Sequence, residues 1–123
     1  MRRLLILLAL LVSTMSFAQD DSWRDSLKIA RKAYANKEYA KALKYYESAQ
    51  KKAPDDIDLS DEMAQSAYRA REYDRAEKIY QQGSSTKINK SERGDAMHNL
   101  GNSQMRQKNY EGAIESYKEA LRN

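Results

Sequence analysis

The chain of 123 residues contains no cysteine, one histidine and one proline. Without cysteine there is no disulfide, no thiol nucleophile and no lipid attachment at a cleavage-site cysteine. His98 is the only imidazole, so a multi-histidine metal site or a Cys–His pair cannot be built. No G-x-S-x-G turn, typical of a nucleophilic serine, occurs either. We therefore predict no catalytic residue, no metal and no cofactor.

The chain also lacks a block of like charge. It has 22 Lys and Arg against 18 Asp and Glu, and the signs alternate along its length, as is typical of solvated helix faces. Removal of Arg2 and Arg3 with the segment described next leaves 20 against 18, a formal charge of +2. We therefore expect no nucleic-acid partner.

The first eighteen residues differ in composition from the rest. Arg2 and Arg3 give a basic start, residues 4–12 are unbroken hydrocarbon, and Ser16-Phe17-Ala18 places small residues where signal peptidase reads them. The apolar stretch is shorter than the roughly 20 residues needed to cross a bilayer. The sequence predicts a signal peptide, residues 1–18, cleaved after Ala18, a periplasmic or extracellular protein, and no stable membrane insertion after cleavage.

The remaining sequence repeats with a period of 34 residues. Ala30, Ala33, Tyr34, Tyr39, Ala42 and Tyr46 recur as Ala64, Ala67, Tyr68, Tyr73, Ala76 and Tyr80. A third copy follows after three inserted residues, with Gly101, Met105, Tyr110, Ala113 and Tyr117 in the same order. Six coincidences at one offset indicate repeated structural units. We place the copies at approximately 23–56, 57–90 and 94–123, the last incomplete.

Each copy contains two apolar runs at helical spacing, separated by a short polar break. In copy one the break is Asn36-Lys37-Glu38, which includes an asparagine, a residue that tolerates the left-handed conformation that a helix end often needs. Short connections make antiparallel neighbours, so each copy is predicted to be a pair of helices. Small residues at matching positions of both helices, such as Ala30 and Ala42, allow the backbones to cross closely. Tyr39, Tyr73 and Tyr110 are expected to fill the volume at the turn, with their hydroxyl groups near the surface.

Helix starts and stops have local signals of their own. Ser22, the pair Asp55-Asp56, and the run Asn89-Lys90-Ser91-Glu92 are predicted to cap the first helices of the three copies. The stretch from Gly83 to Ile88 replaces helix formers with a glycine, two serines and a threonine. It is therefore predicted to be a mobile linker between copies two and three.

This pattern resembles the tetratricopeptide repeat from Trp23 to Asn123, and copy three, with His98-Asn99-Leu100-Gly101-Asn102, is nearest to that family's pattern. The resemblance implies an all-α, right-handed solenoid of three helix-turn-helix repeats with a concave groove that binds another protein or a peptide. The signal peptide with the N-L-G-N motif is also similar to exported repeat proteins of aerotolerance (Bat) operons, which favours a role in cell-envelope assembly or stress tolerance.

The resemblance also implies which residues line the groove. These positions are Leu27, Arg31, Tyr34, Asp61, Gln65, Tyr68, Arg69, His98, Asn102, Met105 and Arg106. The arginines would pair with carboxylates of a partner segment, and the tyrosines would provide flat contact area. The alternative is that the arginines are merely solvated and that the tyrosines belong to the core between repeats. A clamp for a C-terminal carboxylate, known in some members, is present only in fragments, because its positions hold Leu27, Arg31, Glu62, Asp95 and Asn99.

The end of copy three leaves a second class of function open. No closing proline or polar capping helix follows, so Ile114, Tyr117 and Leu121 are expected to face water on one side. Either another subunit covers this edge, making a homo-oligomer through the C-terminal helix, or the chain is a fragment of a longer array. We favour the fragment, and a protein-interaction scaffold as the function.

Overall fold

A computed structural model describes residues 22–86 and 90–122, without the side chains of residues 84–86 and 90. This part of the chain is all-helical. Its helices are α1 (Ser22–Ala35), α2 (Tyr39–Lys52), α3 (Ser60–Arg69), α4 (Tyr73–Thr86), α5 (Lys90–Arg106) and α6 (Tyr110–Arg122). Each helix packs mainly against the next one along the chain. The predicted helix pairs are therefore confirmed, while the signal peptide and Asn89 lie outside the described residues.

Within each pair the two helices are joined by the same tight turn. In the first turn, the backbone N–H of Lys37 donates to the carbonyl of Tyr34 at 3.0 Å, and that of Glu38 to Ala33 at 2.9 Å. This is the Schellman motif, which needs a left-handed residue just past the helix. That residue is Lys37, with φ 62°, and not the neighbouring Asn36, the residue of the break that tolerates this conformation best. The hydrogen-bond pattern fixes the position, and the side-chain preference of asparagine does not override it.

The same conformation recurs in the other two pairs. Arg71 and Lys108 have φ 66° and 63°, and the residue after each donates its N–H five residues back along the chain. The same turn conformation thus occurs in all three copies, and its left-handed residue is a long basic residue each time.

The connection between the first two copies is held by polar side chains. Gln50 donates to the carbonyl of Ile57 at 2.8 Å and accepts the N–H of Leu59 at 2.6 Å. Asp58 accepts the N–H of Ser60 at 2.9 Å, at the start of α3. Asp58, and not the predicted pair Asp55-Asp56, therefore serves the first turn of α3, because the chain makes an additional turn after Pro54.

Helix α4 is longer than the sequence predicted. It continues through Gly83 to Thr86, so the prediction of a mobile linker was wrong for residues 83–86, while residues 87 and 88 lie outside the described part. Glycine weakens an isolated helix by about 1 kcal/mol relative to alanine. Gly83 is buried at the position that Ala49 occupies in copy one. Tertiary packing thus outweighs the low helix propensity of this stretch.

Small residues lie at each helix crossing, as predicted. The first helices contribute Ala30, Ala64 and Gly101, the second helices contribute Ala42, Ala76 and Ala113, and all six are buried. At Gly101 even a Cβ atom would be crowded, since it would meet the Tyr117 ring at 2.7 Å. The crossings bring the two backbones of each copy close together.

Larger side chains join one copy to the next. Met63 of α3 packs against both the cluster of the first copy and the cluster formed by copies one to three. Leu100, the matching residue of α5, is buried with Leu43, Ala67 and Tyr80. The core is therefore continuous along the stack, and this continuity positions the side chains of the concave face.

The strained turn residues lead to a stability prediction. Lys37→Gly removes the Cβ strain of a left-handed residue and is expected to raise the free energy of unfolding by about 1 kcal/mol. Urea denaturation followed by circular dichroism measures the change. Lys37→Ala is the matched control, because it removes the same exposed side chain but keeps the strain. Equal stability of the two variants would contradict the assignment of strain to this position.

Candidate functional site

A cavity with a volume of about 830 Å³ opens between the repeats. Its walls come from the first helices α3 and α5, from the turn after α3, and from tyrosines of α2 and α4. The lining residues are Tyr39, Gln65, Tyr68, Arg69, Arg71, Tyr73, Tyr80, Asn99, Asn102 and Arg106. They include four tyrosines, three arginines and three amides, and no carboxylate.

One cluster in this cavity joins copies one and two. Tyr34 and Tyr39 pack edge to face, with ring centroids 5.2 Å apart and planes at 72°. The guanidinium of Arg69 lies over both rings, 6.0 Å from the Tyr34 centroid and 5.8 Å from that of Tyr39. The Tyr34 hydroxyl also donates to the Gln65 side chain at 3.4 Å. The aromatic faces and the phenol oxygens thus hold the Arg69 head group in place.

A second cluster repeats this arrangement between copies two and three. Tyr68 and Tyr73 are 5.2 Å apart at 71°, and Arg106 lies 5.9 Å and 6.0 Å from their centroids. Arg106 donates from Nε to the Tyr68 hydroxyl at 3.2 Å. We call each set an Arg–Tyr–Tyr cluster: Arg69 with Tyr34 and Tyr39, and Arg106 with Tyr68 and Tyr73.

Both arginines keep their full charge. Electrostatic interaction with Tyr34, followed by a hydrogen bond with Tyr39, raises the pKa of Arg69 above its ordinary value. For Arg106 the hydrogen bond with Tyr68 is the largest cause of a raised pKa. The side chains of both arginines are exposed, so their guanidinium groups are available to a ligand.

Tyr80 forms the floor of the same cavity and is buried. Burial raises the pKa of its hydroxyl to about 12, and the nearby charge of Asp61 adds to the rise. The hydroxyl is therefore neutral at physiological pH and is a hydrogen-bond donor at the base of a positively charged cavity.

The third copy does not complete such a cluster among the described residues. Met105 occupies the position of Tyr34 and Tyr68, and Tyr110 that of Tyr39 and Tyr73. Tyr110 is 54% exposed, whereas Tyr39 and Tyr73 are half-buried. The expectation that all three tyrosines fill the turn was therefore wrong for Tyr110, because no aromatic neighbour and no arginine of a following helix cover it within residues 22–86 and 90–122.

The predicted groove residues divide into two groups. Those that line the main cavity are Gln65, Tyr68, Arg69, Asn102 and Arg106. Asp61 and His98 line a second cavity of about 270 Å³, next to Tyr80 and Gln65.

The other four, Leu27, Arg31, Tyr34 and Met105, line neither cavity. Leu27 packs against the core of the first copy, and Met105 is exposed. Arg31 lies near the partly buried Glu62, where burial raises the carboxyl pKa and the charge of Arg31 opposes that rise. Tyr34 contributes through the cluster it forms with Arg69.

Sequence reasoning missed Tyr39, Arg71, Tyr73 and Tyr80 as lining residues, and it considered Asn99 only for a carboxylate clamp. The prediction took groove residues from the first helices alone, whereas the cavity also includes the turn and the second helices. The recurrence of Tyr39 as Tyr73 was visible in the sequence and was assigned only to packing.

His98 is the one imidazole available for chemistry. Its ring lies 5.4 Å from that of Tyr117 at an angle of 50°. Within the described residues, no group of three His, Cys, Asp or Glu is arranged to hold a metal ion. No helix in that part of the chain is long and apolar enough to span a membrane.

Two tetratricopeptide repeat family profiles match the chain, one over residues 62–123 and the other over residues 33–87. The first match covers half of the chain, so this protein belongs to the tetratricopeptide repeat family. No curated protein matches it significantly, and the closer resemblance to aerotolerance-operon proteins finds no support in these comparisons. Repeats of this family are non-catalytic scaffolds that generally mediate protein–protein interaction.

Proposed function

We propose that this protein is an exported scaffold that binds an extended, carboxylate-bearing segment of a partner protein between its repeats. The observation that carries the proposal is the pair of Arg–Tyr–Tyr clusters in a cavity without acidic lining residues. The function is binding and not catalysis, and it requires no metal, cofactor or nucleic acid.

The chemistry of the clusters selects the ligand. A guanidinium is a fork of donors that matches a carboxylate, and charge-assisted hydrogen bonds of this kind are about twice as strong as neutral ones. Because Tyr34 and Tyr39 orient Arg69 before any ligand arrives, less side-chain freedom is lost on binding. Tyrosine and arginine are also the residue types that contribute most to protein interfaces.

The layout of the cavity favours an extended segment. The two clusters lie on successive repeats, so a ligand that reaches both must run along the stack. Gln65, Asn99 and Asn102 lie in the same cavity and offer both donors and acceptors for a peptide backbone. A compact ligand or an amphipathic helix would leave these amides and guanidinium groups unpaired, which is costly when they are desolvated.

Export is supported by the sequence at the N-terminus. The basic start, the apolar run and Ala18 fit a cleaved signal peptide, and the chain has no cysteine that an oxidising compartment would affect. We therefore place the scaffold in the bacterial periplasm or outside the cell. A role in cell-envelope assembly or stress tolerance is the setting that this location favours.

The binding proposal predicts the effect of removing the two guanidinium groups. A labelled peptide series with two glutamates at increasing separation should contain members that bind, as measured by fluorescence anisotropy. The double variant Arg69→Gln/Arg106→Gln should weaken that binding more than about tenfold, because two charge-assisted hydrogen-bond sites are lost. Binding should also weaken as salt concentration rises.

The matched control is Lys44→Gln/Lys78→Gln. It removes the same charge from exposed positions of α2 and α4 that line neither of the two cavities described above, and it should bind the peptide as the unaltered chain does. Replacing the glutamates of the peptide by glutamine should abolish binding. The proposal is wrong if glutamine peptides bind equally well, or if both double variants lose affinity to the same extent.

The export proposal predicts a defined N-terminus. Expressed in a Gram-negative host, the chain should be recovered from the periplasm with an intact mass that begins at Gln19. Leu7→Arg interrupts the apolar run and should retain the chain in the cytoplasm with its N-terminus uncut. Cytoplasmic, uncut protein from the unaltered gene would contradict export.

A further inference from the structure

Helix α6 carries a stripe of four apolar residues, three of which face solvent. Tyr110, Ile114, Tyr117 and Leu121 are spaced by four, three and four residues, which is the spacing of the contact positions of a coiled coil. Ile114 is 52% exposed and Leu121 88% exposed, and Tyr117 is half-buried.

In the earlier repeats, residues equivalent to the centre of this stripe lie at the interface with the next repeat. Ile114 has the register of Leu43 in α2, which is 2% exposed because the second repeat packs on it. In α4 the same register holds Glu77, which accepts hydrogen bonds from Gln104 of α5 at 3.2 Å and from Gln107, just after α5, at 2.9 Å. The side of α6 that bears Ile114 therefore corresponds to a surface that is covered elsewhere in the molecule.

At the position of Leu121, the stripe differs from the second helices of both earlier repeats. The residue at this position bears on what can cover the helix. In α2 the residue equivalent to Leu121 is Gln50, which binds the backbone of the connection leading to the next repeat. In α4 it is Ser84. Leu121 has no polar group with which to hold such a connection. Among the second helices α2, α4 and α6, only α6 has apolar residues at all four stripe positions. Such a stripe suits packing against another helix that lies alongside it.

Helix α1, at the opposite end of the stack, does not provide a surface complementary to the α6 stripe. The buried positions of Leu59, just before α3, and Ala96, inside α5, correspond to Asp25 in α1. The buried positions of Ser66 and Ser103 likewise correspond to Lys32 in α1. Docking of α1 from a second copy onto α6 would bury both charges without partners in the stripe, which is strongly unfavourable. This argues against a head-to-tail stack of copies.

The charges along α6 are complementary to those of a second α6 that runs in the opposite direction. Glu111 and Glu115 lie in its first half, and Lys118, Glu119 and Arg122 in its second half, where Arg122 pairs with Glu119 at 3.0 Å. Lys118 pairs with Glu115 at 3.7 Å on the exposed surface, and such pairs exchange easily because they contribute little. Two antiparallel copies of α6 would place Glu111 near the partner's Lys118 on both sides of a two-fold axis.

We propose that the α6 stripe binds a second copy of this chain, with the two α6 helices antiparallel about a two-fold axis. Ile114 then packs against the partner's Tyr117, and Tyr110 against the partner's Leu121. Helix α6 has 13 residues and is about 20 Å long, so the interface is small and we expect a dissociation constant in the micromolar range. This interface is separate from the cavity that contains Arg69 and Arg106, so each copy keeps its binding cavity.

Sedimentation equilibrium of the purified chain between about 5 and 500 µM tests the proposal, a range chosen for a micromolar interface. We expect a monomer–dimer equilibrium. The variant Ile114→Glu/Leu121→Glu should be monomeric throughout the range with unchanged helical circular dichroism. The control Ile29→Glu places the same new charge on α1, at a position that is 41% exposed, and should dimerise as the unaltered chain does.

Charge reversal tests the antiparallel geometry independently of the apolar contacts. Glu111→Lys places like charges opposite each other at two sites and should weaken the dimer about tenfold, and adding Lys118→Glu to it should restore the affinity. A monomer at every concentration would overturn the proposal and leave the stripe to another occupant. A dimer that survives Ile114→Glu/Leu121→Glu, or that is lost in Ile29→Glu, would also overturn it.

Discussion

The close crossing of the two helices in each copy is the constraint on which the rest of the structure depends. It requires a side chain no larger than alanine at positions such as Ala64 and Ala76, where nothing is exposed to solvent. Because the crossing recurs in each copy, equivalent side chains of successive copies lie next to one another. Arg69 thereby reaches the tyrosines of the copy before it, and Arg106 does the same one repeat later. The candidate binding site is a consequence of this stacking.

Most of the fold could be predicted, because helical spacing and a repeat period are properties of the sequence itself. The errors concerned helix ends. The left-handed turn residue is Lys37 and not Asn36, since the hydrogen bonds of the turn fix the backbone whatever side chain is present. Gly83 lies inside a helix because burial outweighs its low propensity, and burial cannot be read from a local stretch of sequence.

The site could be predicted only in part. Residues of the first helices that face the groove, such as Gln65 and Arg69, follow from their place in the repeat. Arg71 and Tyr80 do not, because they enter the cavity from a turn and from a second helix, and their meeting depends on how adjacent copies stack. Conversely, Arg31 has the right place in its repeat but lies near Glu62, which shows that a position equivalent in sequence need not have equivalent neighbours.

The central claim is that small residues at the crossing determine the stack, and a single stability measurement tests it. Ala64→Leu should lower the free energy of unfolding by about 2 kcal/mol or more, because the added atoms force the two backbones apart. The same substitution at exposed Ala40 should change it by less than about 0.5 kcal/mol. Equal stability of the two variants in urea denaturation would contradict the account.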